Sequence, residues 1–257
     1  MLIDSHCHLD GAGIASADDA IARAKAAGVG FFVVIGVGET LDSARFAIEL
    51  ARGRSDVRAI VGVHPHDASV LDDAMFAELE ELARAPEVVA VGEMGLDYHY
   101  MRSPMEVQKA AFRRQIALAR DVKKPICVHT RLAPDDTIAI LKDEHAADVG
   151  GIIHCFSEDK AFAERALDLE FDLSFSGIVT FKSATSVHEV AAWAPADRIL
   201  IETDSPYLAP VPVRGKPCEP AFLVHTAKRV ASLRNIAFEE LAHLTRANTA
   251  RRLNLPG

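Results

Sequence analysis

Short apolar, β-branched runs alternate with longer amphipathic runs along the chain. The short runs are Leu2–His6, Phe31–Val37, Arg58–Val63, Val88–Glu93, Pro125–His129, Gly151–His154, Phe171–Phe175 and Ile199–Glu202. Each is four to eight residues long and mostly apolar, the pattern of parallel strands covered on both faces. Helical patterns lie between them. Ser16–Ala27 opens on a serine followed by two aspartates and closes at Gly28, as a capped helix does. Leu71–Ala85 places Met75, Leu79 and Leu82 on one face, and Met105–Val122 starts after Pro104 with Val107, Ala111, Ile116 and Leu118 as its apolar positions. Ala221–Leu233 and Phe238–Arg251 follow the last strand. Trp193, the one tryptophan, falls in the helical run Val187–Ala194 and is expected to pack. Repetition of a strand and then a helix predicts a parallel sheet. About eight such units in 257 residues predict an α/β fold, a single (β/α)8 TIM-type barrel with additional C-terminal helices, forming one domain over residues 1–257. The alternative is an open doubly wound sheet, but no GxGxxG follows the first strand.

Composition adds constraints. The 37 acidic and 28 basic side chains give a net charge of -9, so a broad nucleic-acid footprint is not expected, though a local cationic or metal-bearing mouth could still attract phosphate. Cys7, Cys127, Cys155 and Cys218 include no CxxC pair and read as reduced, packed thiols of a cytoplasmic protein. The N-terminus lacks the basic and apolar regions of a signal peptide, and no apolar run approaches the roughly 18 residues of a membrane span. No membrane association and no obligate protein partner are expected.

Candidate chemistry sits where the strands end, the rim on which barrel active sites form. The first strand ends in His6-Cys7-His8, and the period of two points both imidazoles to one face. Glu93 ends the fourth strand, His129 the fifth, His154 the sixth, and Asp204 follows the eighth. Taken singly, each histidine has a reading as a hydrogen-bonded core residue, and Glu93 and Asp204 as helix caps. Together, four imidazoles and two carboxylates on one rim predict a metal site, since buried charge needs a partner or an ion. Nitrogen and carboxylate donors suit zinc or manganese. Six ligands exceed one tetrahedral site, and two divalent ions sharing a carboxylate account for all six.

Several segments identify a family. DSHCHLD (4–10), GVHPH (62–66), VGEMGLDYH (91–99), PICVHTR (125–131), GGIIHCFS (150–157), SFSGIVTFK (174–182) and IETDSPYLAPVPVRGKPCEP (201–220) occur in this order. The chain resembles the TatD family of metal-dependent hydrolases, within the amidohydrolase superfamily. The resemblance implies that His6, His8 and Asp204 hold one ion, that His129 and His154 hold the other, and that Glu93 bridges them. It also implies that Asp204 accepts the proton of the attacking water, making Asp204 and Glu93 the catalytic pair. Three positions depart from the family pattern: Glu158 stands where glycine is common, Cys218 where asparagine is common, and His99 where a second tyrosine is common.

Around this rim, His64 reads either as a substrate contact or as a loop histidine bonded to backbone. Arg131, Lys182, Arg214 and Lys216 read either as phosphate-binding cations or as ordinary surface charge. Tyr98 and Tyr207 read as stacking groups or as rim packing. The family resemblance implies a phosphodiesterase, a deoxyribonuclease acting exonuclease-like on DNA ends, short single strands or nucleotide fragments, with zinc as the expected ion and magnesium or manganese as alternatives. A second hypothesis keeps the metals but changes the bond to another ester or amide, such as the ester of a D-aminoacyl-tRNA. A third, a binding protein that has lost catalysis, predicts loss of a ligand, and all six are present.

Overall fold

The computed structural model describes residues 1–11 and 13–255. Strands and helices alternate as β1 (Leu2–Cys7), α1 (Ala17–Ala26), β2 (Val29–Gly36), α2 (Asp42–Arg52), β3 (Val57–Val61), α3 (Asp73–Ala83), β4 (Val88–Asp97), α4 (Met105–Asp121), β5 (Ile126–Arg131), α5 (Pro134–Asp143), β6 (Gly151–Ile153), α6 (Lys160–Asp168), β7 (Phe171–Phe175), α7 (Thr185–Trp193), β8 (Ile199–Ile201), α8 (Leu223–Arg234) and α9 (Phe238–Arg252). The expected cap at Ser16 forms, and Asp72 caps α3 in the same way. Ser16 accepts a hydrogen bond from the Asp19 amide at 3.2 Å, and Asp72 accepts one from the Met75 amide at 2.8 Å. Strand order in the sheet follows chain order from β1 to β8, the order of the (β/α)8 barrel class. Among the described residues, no helix is long and apolar enough to cross a membrane.

The chain packs as two compact units. The first comprises Met1–Val34, His154–Ala163 and Asp172–Gly257. In it β1 pairs in parallel with β2, and β7 with β8. The segment after β8 bonds to the end of β1, with the Asp204 amide donating to His6 O at 3.0 Å and the His8 amide to Ser205 O at 2.8 Å. The last strand therefore runs beside the first. Asp4 secures this junction: its buried carboxylate accepts the Thr203 amide at 2.9 Å and the Thr203 hydroxyl at 2.6 Å. Phe32, Phe156, Phe162 and Phe175 are fully buried here. Each contributes roughly 1.5–3 kcal/mol by leaving water.

The second unit comprises Ile35–Ile153 and Glu164–Phe171 and holds the parallel neighbours β3, β4, β5 and β6. Helix α4 departs from the apolar pattern. Val107 is exposed, and the buried face includes Gln108 and Gln115 beside Phe112 and Ile116. An apolar-only template misses such positions because these amides satisfy loop backbone instead of filling volume. Gln115 accepts the Val63 amide at 2.7 Å and donates to Val63 O at 3.0 Å. Gln108 accepts the Asp97 amide at 2.8 Å and donates to Asp97 O and to Ser103 O. Trp193 also differs from expectation. At the end of α7 the residue is 38% exposed, and Lys160 Nζ stands 4.6 Å from its ring centroid.

Helix α9 is anchored by charge. Asp172, at the start of β7, is completely buried, and its carboxylate accepts from Arg198, from Arg251 at 2.9 Å, and from both Nε and a terminal nitrogen of Arg252 at 2.8 and 2.9 Å. Removing one side of a buried ion cluster strands its partners, so D172A is expected to lose about 3–5 kcal/mol of unfolding free energy in urea. A loss under about 1 kcal/mol, the size seen for exposed pairs, would show that the cluster holds nothing together.

Candidate metal centre

In the first unit the donors gather at the ends of β1 and β8 and just after β6. His6 is buried at 1% exposure and His8 is half-buried, with Cys7 between them facing away toward Val33 O. This is the alternation predicted for the HCH segment. Asp204 follows β8 with φ 57, a left-handed conformation that ends the strand and turns the carboxylate toward both imidazoles. Its Oδ1 stands 3.8 Å from His6 Nε2 and 3.7 Å from His8 Nε2. These spacings are long for hydrogen bonds but close to the ~3.5 Å between neighbouring ligand atoms around a tetrahedral ion with bonds of about 2.0–2.2 Å. The His154 ring stacks on His6, centroids 3.8 Å apart. The helix-cap reading of Asp204 does not hold, because a turn follows it and, among the described residues, the next helical segment begins only at Pro220.

Glu202 completes this group. It is fully buried, and its Oε1 pairs with His154 Nδ1 at 2.9 Å and accepts the Cys155 amide at 2.7 Å. Burial opposes its charge, yet the facing His154, the His154 hydrogen bond and the nearby His6 hold its carboxyl below the usual range. The ligand atoms of His6, His154 and Glu202 lie within 4.8 Å of one another, all on buried residues. Such a set of nitrogen and carboxylate donors fits a first-row divalent ion.

The second unit carries its own group on β4 and β5. Glu93 is buried, and its Oε1 lies 2.9 Å from His129 Nδ1 and 3.4 Å from His64 Nε2. These three residues also bring ligand atoms within 4.8 Å of one another. Burial pushes the His64 imidazole down to about 4 despite the facing Glu93. Its Nδ1 accepts the His66 amide at 3.1 Å, so the backbone-bonded reading of His64 holds while its Nε2 faces the site. Asp97, four residues beyond Glu93, is buried and bonds His66 Nε2 at 2.9 Å and His129 Nε2 at 3.3 Å. Burial opposes its charge, but the His129, Tyr100 and His66 bonds outweigh this and hold its carboxyl far below the ordinary range.

Two glycines set the spacing of β4 and β5. A Cβ on Gly95 would stand 2.0 Å from His129 O, and one on Gly92 would stand 2.4 Å from Cys127 O. Both have positive φ, 140 and 146. The strand register shifts between Val91 and Met94, an irregularity that re-aims the side chain of Glu93.

The remaining expected contacts lie outside these groups. Tyr98 directs its hydroxyl to Asp136 at 2.6 Å, and burial with that partner pushes the phenol up to about 12. Lys182 and Lys216 are exposed, and the Arg214 guanidinium lies 4.0 Å over the Phe181 ring. Tyr207 is 61% exposed and meets His8 edge-on at 6.0 Å. Cys7, Cys127 and Cys218 are buried, as packing thiols are, and Cys155 is half-buried against Ser176 Oγ at 3.2 Å. The sequence reading missed Glu202 and Asp97 as site residues. Their signal in the sequence is proximity: each is a carboxylate within four residues of a selected one, Glu202 before Asp204 and Asp97 after Glu93.

Known proteins are similar to this chain along nearly its whole length. The family described as TatD related DNase matches residues 3–254. The chain is 44% identical to the uncharacterized metal-dependent hydrolase YcfH of Escherichia coli (strain K12), over 97% of this chain and 94% of that protein. It is 36% identical to the 3'-5' ssDNA/RNA exonuclease TatD of Klebsiella pneumoniae (strain 342), over 90% of this chain and 89% of that one. The crystal structure of YJJV, a TatD homolog from Escherichia coli K12, superposes with a TM-score of 0.92 at 28% identity, covering 99% of this chain and 98% of that one. The fold is the (β/α)8 TIM-type barrel.

Two variants test the geometry. E202Q keeps the shape but removes the charge that orients His154, so metal affinity is expected to fall about 10–100-fold in competition with a chromophoric chelator; unchanged affinity removes Glu202 from the site. G95A forces β5 away from β4 and is expected to lose about 1–3 kcal/mol in thermal unfolding together with bound metal. Full stability and full loading in G95A would show that the strands tolerate a wider spacing.

Proposed function

Because the chain belongs to the TatD family of metal-dependent hydrolases, we propose that its donor groups serve one two-metal centre that hydrolyses phosphodiester bonds at DNA ends and in short single strands. The observation that carries the proposal is two imidazole–carboxylate groups, the buried His6, His154 and Glu202 and the buried Glu93 with half-buried His64 and His129, each with its ligand atoms gathered within 4.8 Å. The family resemblance supports assigning His6, His8 and Asp204 to one ion, His129 and His154 to the other, and Glu93 as the bridge. Zinc suits the nitrogen-rich donor set, and manganese or magnesium are alternatives.

Bound divalent ions supply Lewis-acid polarisation of a phosphoryl oxygen and acidify water. The protein's residues supply the rest. Asp204, only 8% exposed and held in its turn, is placed to accept the proton of the attacking water. Glu202 and Asp97 hold the His154 and His129 rings in one orientation each. Arg131, Lys182 and Arg214 are suited to phosphate oxygens, and His64 to the leaving group. The net charge of -9 argues against tight binding of long duplex, and the ssDNA/RNA exonuclease name of the Klebsiella relative supports single-stranded substrates.

Elemental analysis is expected to find about two divalent ions per chain, with chelator-sensitive cleavage of a short single-stranded DNA. D204N is expected to fold normally by circular dichroism and to lose about 10²–10⁴-fold in turnover. Near-normal turnover in folded D204N removes Asp204 from the mechanism. Two ions without DNA cleavage, but with hydrolysis of an acyl ester assayed in parallel, move the substrate from phosphodiester to carboxylic ester.

A further inference from the structure

Beyond β4 the chain makes a short excursion, residues 98–104, before α4 begins. Its roots are clamped. One oxygen of Asp97 accepts the His99 and Tyr100 amides at 2.9 and 2.8 Å, while the other bonds His66 and His129. At the far end Ser103 is buried and donates to His66 O at 2.8 Å, and Gln108 donates to Ser103 O at 2.8 Å. The tip is nevertheless open to solvent. Tyr100 is 53% exposed, Met101 42%, and Arg102 is exposed as well. An aromatic ring shown to water from a fully bonded frame is poised to present a surface.

The surroundings of Tyr100 define what that surface takes. The Arg131 guanidinium stands 4.8 Å from the ring centroid and that of Arg102 5.8 Å. His66 and His99 meet the ring edge-on at 5.4 and 4.7 Å. Among the described residues, neither guanidinium lies within 4.0 Å of a carboxylate. Arg131 stands opposite Asp97 in the β4–β5 register and two residues past His129. Two guanidiniums with no carboxylate at salt-bridge distance, Arg102 feeling the more distant Asp67, beside a half-exposed aromatic side chain match a ligand that alternates flat rings with phosphates. Unpaired bases offer that face, whereas duplex bases are already stacked.

We infer that Tyr100, Arg102 and Arg131 form a platform on which an unpaired base of a single-stranded nucleic acid stacks while the two guanidiniums hold its flanking phosphates. Tyr100 is thereby a specificity-determining residue that ranks single strands above duplex. The inference deepens the phosphodiester reading and rests on it for substrate class. Asp97 links the platform to the hydrolytic centre, because one carboxylate fixes both the Tyr100 backbone and the His129 ring.

Fluorescence anisotropy on the metal-loaded protein tests this, using a labelled single-stranded oligonucleotide with phosphorothioate linkages that slow cleavage. Y100A is expected to raise Kd about tenfold, the scale of one lost base–aromatic stack, while Y100F stays near wild type. R102A with R131A is expected to flatten the dependence of Kd on salt, since two phosphate contacts are lost. A hairpin duplex of equal length is expected to bind weakly and to respond little to Y100A. Unchanged single-strand affinity in Y100A, absence of wild-type binding, or equal loss on duplex each overturns the platform. The two readings fail separately. Oligonucleotide binding that depends on Tyr100, without cleavage of an unmodified strand, keeps the platform and sinks the phosphodiesterase. Cleavage with an unchanged KM in Y100A does the reverse.

Discussion

Two buried carboxylates, Asp97 and Glu202, each grip an imidazole by a ring nitrogen, and the geometry of both donor groups depends on those grips. A carboxylate out of water is costly unless hydrogen bonds or charge compensate. Both meet that condition in the same way, by adding backbone amides to the imidazole: Cys155 for Glu202, and His99 with Tyr100 for Asp97. The cost of burial thus becomes a constraint on orientation. His154 is held at Nδ1 by Glu202, and His129 is held at both nitrogens, by Glu93 at Nδ1 and by Asp97 at Nε2; a carboxylate on a ring nitrogen fixes the orientation of the imidazole.

The scaffold beneath is built to hold these groups at short range. β4 and β5 approach so closely at Gly92 and Gly95 that a single added carbon meets a backbone oxygen. Asp4 ties Thr203 to β1, so Asp204 emerges beside His6 and His8. Farther from the chemistry, Asp172 with Arg198, Arg251 and Arg252 fastens the last helix to β7. Gln108 and Gln115 hold loop backbone from inside α4. The devices nearest the candidate donor groups, Gly92 and Gly95 with Asp4 and Thr203, therefore both hold the fold and position those groups.

Membership in a family of metal-dependent hydrolases narrows the chemistry to hydrolysis and leaves the substrate to the loops. The loops of this chain carry its departures from the family pattern. His99 lies in the clamped excursion beside Tyr100, and Cys218 is a buried thiol whose side chain reaches the Thr203 carbonyl at 3.9 Å. Loops on a rigid strand frame can change what is bound without disturbing the ligands at the strand ends.

The alternation of short apolar runs with amphipathic ones was enough to place all eight strands, because periodicity is a local property of the chain. His6, His8, Glu93, His129, His154 and Asp204 were legible for the same reason: each lies at or just beyond the end of an apolar run, although β4 continues past Glu93 to Asp97 and β5 past His129 to Arg131. The partners of these residues were not. That Asp97 serves His129, that Glu202 serves His154, and that two glutamines of α4 face inward are pairings between residues far apart in the chain, and hydropathy does not encode them. Nor does sequence alone tell an exposed Trp193 or Tyr100 from a packed one. Local periodicity determined the elements and the candidate ligands; only tertiary packing decided which buried charges meet and which aromatic faces stay in water, because those outcomes follow from distances between segments.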